Sequence, residues 1–164
     1  MKASELQKLP VIASTDPARI GKIRDIFLDP GELCVRALLV QSGAQDILLD
    51  FSDIVEIRQY CVVVSHSTWS GTRPADQGWR LRSMGELHGT AVAGRDGTYQ
   101  GDVSDMVFDE ESGRIVGLIV KHAGILGIGS RDQLVERAAI FQIRERLVMV
   151  QPCEPRCPPR GAGE

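Results

Sequence analysis

The chain has 164 residues, 43% of them hydrophobic and 25% charged, with a formal net charge of −3. That length suits one ordinary globular domain or two very small ones, and the balance of apolar and charged residues excludes wholesale disorder. No apolar run reaches the roughly 18 residues of a membrane-spanning helix, and 19 basic against 22 acidic side chains argue against a general nucleic-acid binder, whose affinity rests on clustered Lys and Arg.

In chain order, Met1-Lys2-Ala3-Ser4-Glu5-Leu6-Gln7 lacks the apolar core of a signal peptide, so a soluble, cytoplasmic protein is expected. Ser4-Glu5-Leu6-Gln7 places a hydroxyl three residues before a Gln, the capping-box pattern, and predicts a short helix. A hairpin turn is expected at Thr15-Asp16-Pro17. Alternation over residues 21–26 then predicts a strand that ends in the turn Asp29-Pro30-Gly31. Residues 35–40 are nearly all apolar and read as a central strand. Further strands are expected at 46–49 and 60–64, with a connector at 51–54. Residues 65–83 read as linker, with Trp69 and Trp79 within them; a solvated linker rarely carries two such rings, so both are expected to pack on a barrel or on a partner. Ser83-Met84-Gly85-Glu86 opens a second run with another capping box. A turn at Arg95-Asp96-Gly97 follows, then strands at 115–120, 133–136 and 146–150 and a connector at 137–140. Residues 152–164 read as a disordered, Pro-rich tail.

The second run repeats the first. Gly21-Lys22-Ile23-Arg24-Asp25-Ile26-Phe27-Leu28-Asp29 aligns with Gly101-Asp102-Val103-Ser104-Asp105-Met106-Val107-Phe108-Asp109 at an offset of 80. Ile54-Val55-Glu56-Ile57-Arg58 aligns with Ile140-Phe141-Gln142-Ile143-Arg144 at an offset of 86. The growth in offset places a six-residue insertion in the second copy, around residues 123–130. Short strands separated by turns at this spacing suit a small barrel in each copy.

Gly124-Ile125-Leu126-Gly127-Ile128-Gly129, with Gly101-Asp102-Val103-Ser104-Asp105 and Leu118-Ile119-Val120, resembles the PRC-barrel family. That family takes its name from the cytoplasmic domain of the photosynthetic reaction-centre H subunit, and a related barrel forms the C-terminal domain of a small-subunit ribosome maturation factor. The resemblance covers roughly residues 4–64 and 84–150. Where the family usually places Pro, this chain has Phe51 and Arg137, and the first copy lacks the glycine loop. The resemblance implies adaptor modules with diverse partners. A ribosome or RNA-maturation accessory factor is one alternative, and an accessory factor docking to a photosynthetic or other membrane complex is another.

Catalytic and metal-binding patterns do not assemble. Asp25/Asp29 and Asp105/Asp109, four residues apart on a strand, point to one face about 13 Å apart, too far to share a proton or an ion; Asp29 and Asp109 read as turn residues. The glycine loop precedes a strand and not a helix, so it reads as a hairpin connection and not a phosphate cradle. Cys34 and Cys61 sit in apolar stretches, while Cys153 and Cys157 supply half a zinc site at most. His66, His88 and His122 are scattered. Arg73, Arg80, Arg82, Arg95, Arg131, Arg137, Arg144 and Arg146 are interleaved with acids and read as a solvated surface.

The sequence therefore predicts an all-β protein of two tandem small antiparallel PRC-type barrels, residues 1–64 and 84–151, each opened by a short helix and packed through a pseudo-two-fold interface. The expected function is a non-catalytic adaptor or assembly module without cofactor or metal, binding another protein and open to homo-oligomerisation. Ile125, Leu126 and Ile128 either fold over the barrel end or form a contact surface. With Trp69 and Trp79 they are the expected partner-binding residues.

Overall fold

The computed structural model describes residues 1–15, 19–65, 80–122 and 129–151. The first half runs α1 (Ala3–Leu6), β1 (Pro10–Ala13), β2 (Arg19–Asp29), β3 (Cys34–Ser42), β4 (Gln45–Asp50), a 3-10 turn (Phe51–Asp53), β5 (Ile54–Ile57) and β6 (Val62–Val64). The second runs β7 (Arg82–Ser83), α2 (Met84–Leu87), β8 (Ala91–Gly94), β9 (Tyr99–Phe108), β10 (Ile115–His122), β11 (Arg131–Glu136), a 3-10 turn (Arg137–Ala139), β12 (Ile140–Ile143) and β13 (Leu147–Val150). The chain is all-β in the expected duplicated form.

Each half is one sheet, ordered β4-β3-β2-β1-β6-β5 and β11-β10-β9-β8-β13-β12. The two outermost strands of each order are consecutive in the chain and joined by a three-residue 3-10 turn. In a flat six-stranded sheet those edges would lie about 24 Å apart. A link that short spans at most about 14 Å, so each sheet must curl into a barrel-like half. Pairing is antiparallel except where β1 meets β6 and β8 meets β13, which run parallel.

Both long strands carry a bulge that sets their buried faces. Ile23 pairs with Val40 and Asp25 with Leu39, leaving Arg24 unpaired; in the second half Val103 and Asp105 flank an unpaired Ser104 in the same way. One extra residue reverses the inward phase. Ile23, Ile26 and Leu28 face the core in one half and Val103, Met106 and Phe108 in the other, all buried. Asp25 and Asp105 are thereby turned off the core face. The six-residue insertion lies where the repeat predicts it: Ser42 pairs with Gln45 across a two-residue turn, whereas His122 pairs with Arg131 across residues 123–130. The glycine loop is thus a hairpin connection between β10 and β11.

The halves are intertwined. The segment ahead of β1 crosses to the second sheet, where Lys2 bridges to Val107 and Met1 exchanges backbone bonds with Phe108 (Met1 N to Phe108 O 2.8 Å, Phe108 N to Met1 O 3.0 Å). Reciprocally, β7 crosses to the first sheet and pairs Ser83 with Phe27 and Arg82 with Leu28. The two displaced aspartates hold the crossing helices. Asp105 accepts from Ser4 N (3.1 Å) and Ser4 Oγ (2.5 Å), and Asp25 accepts from Gly85 N (3.1 Å).

At the centre Cys34 bridges to Arg114, its own equivalent at the offset of 80. Val35 N donates to Gly113 O (2.8 Å) and Ile115 N to Leu33 O (2.9 Å). A residue that meets its own counterpart marks the pseudo-two-fold axis. The buried side chains of both halves form one continuous cluster, from Ala3 and Leu6 through Leu38 and Leu49 to Phe108, Leu118 and Val150.

Correcting the helix reading, Ser4 does not cap α1. Lys2 is the N-cap, and Glu5 Oε2 accepts from its backbone N–H (3.1 Å). In α2 the cap is Ser83, whose Oγ accepts from Glu86 N (3.0 Å). The crossing segments therefore align at an offset of 81, Lys2 with Ser83, and Ser4 is left free to bind Asp105.

Candidate interaction surface

Trp69, Trp79, Ile125, Leu126 and Ile128 all lie outside the described residues, as do Cys153, Cys157 and His66. The base of the hairpin that carries the glycine loop is described: His122 and Arg131 are paired there, and His122 Nε2 lies 3.0 Å from Gln133 Oε1.

The turn reading of Asp29 and Asp109 agrees with the geometry. Asp29 Oδ1 accepts from Gly31 N and Glu32 N, and Asp109 Oδ1 from Ser112 N and Oγ. The Ser112 hydroxyl, then its amide, holds the Asp109 carboxyl below the usual carboxylate range. Phe51 and Arg137, the two departures from the family's Pro, both serve the join between halves. The Phe51 ring meets Phe108 edge-on with centroids 6.3 Å apart. Arg137 donates to Leu33 O, to Glu32 O (2.7 Å) and to Ile115 O (3.4 Å).

Two clefts flank this join. One, of about 720 Å³, is lined by Cys34, Arg36, Asp50, Phe51, Glu56, Glu110 and Glu111 among others. Burial pushes its Cys34 thiol up from the ordinary cysteine range. The other, of about 1020 Å³, lies among Pro30, Arg80, Leu81, Arg82, Glu86 and residues 142–146, the end of β12 and the turn into β13. The repeat relates parts of the two linings, since Glu56 corresponds to Gln142, Ile57 to Ile143 and Glu110 to Pro30. Their charges are nevertheless opposite. Four carboxylates outnumber one guanidinium in the first cleft, and four guanidinium groups outnumber two carboxylates in the second. Arginines that look evenly mixed with acids along the chain are gathered here by the fold.

Arg82 is the fixed member of the basic cleft. It donates from Nη2 to Glu145 O (2.9 Å), tying β7 to the β12–β13 turn. Its Nε is buried and lies 3.5 Å from Glu86 Oε2, near enough for charge attraction but not aligned for a hydrogen bond. Such an unsatisfied donor costs about 1–3 kcal/mol. Beyond the clefts, Val116, Leu134 and Phe141 are roughly half exposed, and Arg95 lies over the Phe141 ring at 4.6 Å. Among the described residues no helix is long and apolar enough to cross a membrane.

These features define a pair of tandem, segment-exchanged β-barrel modules that present charged clefts at their join. The chain belongs to the PRC-barrel domain family, whose model matches residues 1–67 and 83–154. Domains of this family are in general protein-interaction modules and typically non-catalytic. No curated protein is similar enough to match.

Proposed function

We propose that this protein is a non-catalytic adaptor or assembly module of the cytoplasm that binds another protein through its barrel surface. The observation that carries this reading is the opposition of charge between two clefts at one join, set on a single continuous core. A body built on one core, with distinct charged faces, suits the orientation of partners, because complementary charge sets register and encounter rate. The thiols Cys34 and Cys61, free among the described residues, fit a reducing compartment. The glycine loop with Ile125, Leu126 and Ile128, and the two tryptophans Trp69 and Trp79, belong to the same reading as apolar contact points.

The test is affinity capture from native lysate with cross-linking. Wild type is compared with an Ile125/Leu126/Ile128→Ser variant, both confirmed folded by circular dichroism. A protein retained by wild type and lost from the variant supports the reading and places a contact on the loop. Retention of nothing above the bare matrix by either bait would overturn it.

A further inference from the structure

We propose that the basic cleft between β7, α2 and the β12–β13 turn binds an extended acidic segment of the partner protein; this rests on the adaptor reading above. The repeat supplies an internal comparison. In the first half Arg58 is neutralised within its own strand end, since Glu56 Oε2 accepts from its Nε and lies 2.8 Å from its Nη2. In the second half the equivalent of Glu56 is Gln142. The same side-chain contact survives, with Arg144 Nε donating to Gln142 Oε1 at 2.9 Å, but its charge compensation is gone. Arg144 is therefore held in place by a neutral partner, and its Nη groups have no acceptor among the described residues.

The other changes point the same way. Tyr60 becomes Arg146, and Met1, at the offset of the crossing segments, becomes Arg82. Arg80, Arg144 and Arg146 have no acidic side chain within ion-pair distance among the described residues. Planar forks with unused donors match carboxylates, which they bind two bonds at a time. The occupant is a peptide and not a single-stranded nucleic acid. Glu86 and Glu145 stand in the lining, and among the described residues the lining offers no aromatic ring on which a base could stack. The four carboxylates that a second copy of this chain gathers at its join lie within a cleft, and two concave surfaces do not seat one another.

The experiment is fluorescence anisotropy on the full chain. The probes are a short labelled peptide rich in Asp and Glu, its Asn/Gln counterpart of equal length, and a single-stranded RNA of similar charge. The acidic peptide is expected to bind, with affinity falling as salt rises, and the neutral one to bind at least about tenfold more weakly. Arg144→Glu with Arg146→Glu is expected to weaken binding about tenfold or more. Gln142→Glu, which restores the ion pair of the first half without changing shape, should weaken it several-fold. Lys8→Glu with Lys22→Glu, the same charge change at exposed sites outside the cleft, should leave it within about twofold. Equal losses in both double variants, tighter binding of the RNA, or no effect of Gln142→Glu would each overturn the proposal. A protein captured equally by wild type and by Gln142→Glu would overturn it too, while leaving the adaptor reading intact; capture of no protein would instead count against the adaptor reading.

Discussion

Leu6→Ala tests whether the crossing of the N-terminal segments makes one folding unit of the two halves. Leu6 is fully buried on α1, and α1 is held on the second sheet by Lys2, Ser4 and the Met1–Phe108 exchange. Truncating a fully buried Leu costs about 2.7–5 kcal/mol, depending on how far the cavity collapses. A conservative loss of about 3 kcal/mol should lower Tm by roughly 6–12 °C in a chain of this size. The loss should be felt in both halves, although Leu6 precedes the first barrel in sequence. Differential scanning calorimetry should show a single displaced transition. Hydrogen exchange read by mass spectrometry should show β9 and β2 losing protection together. Leu87→Ala, at the equivalent position on α2 and equally buried, should do the same through β2. Two separate transitions, with the strands of one half unmoved by Leu6→Ala, would refute the reasoning.

Other outcomes follow from the join and the turns. Arg137→Ala removes charge-assisted bonds to carbonyls of the first half and should cost about 2 kcal/mol in urea unfolding. Gly113 has φ +69°, and a Cβ there would meet Phe51 Cε1 at 2.8 Å. Gly113→Ala should therefore cost more than the roughly 1–2 kcal/mol of the left-handed conformation alone, and a Gly113→Ala/Phe51→Ala cycle should show favourable coupling. Asp109 has a lowered carboxyl pKa in the folded state, so its contribution to stability is complete above the ordinary Asp value of about 3.9. It is lost as pH falls through the lower folded value; an NMR titration should place its midpoint below that ordinary value, and Ser112→Ala should raise it. The Cys34 thiol, pushed up by burial, should alkylate at pH 8 more slowly than free cysteine.

The barrels were legible because a strand with one wet face must alternate, and two copies of one alternation are hard to mistake. Even the insertion was located, since a jump in offset between strands leaves only the hairpin to absorb it. The crossing was hidden. Its anchors, Asp105 for Ser4 and Asp25 for Gly85, lie 101 and 60 residues from the groups they bind, and no local pattern announces such pairs. Ser4 looked like a cap because a hydroxyl ahead of a Gln satisfies a local rule; its real partner satisfies it more fully from the other half. Phe51 and Arg137 were visible as departures from the family's Pro, but only the fold shows that both face the join. The basic cleft was likewise invisible along the chain. Arg80 and Arg82 stand more than sixty residues from Arg144 and Arg146, and charges spaced among acids look solvated until strands bring them together.

The contact of Cys34 with Arg114 has a consequence for what this chain can become. In a dimer of identical subunits any change on one side of the axis is copied on the other, so a cleft made basic on one flank is basic on both. Covalent fusion breaks that bookkeeping: positions 56 and 142, or 60 and 146, are separate sites in one gene product and can drift apart. The chain keeps the geometry of a symmetric pair and has the freedom of a heterodimer, with both subunits always present in equal amount.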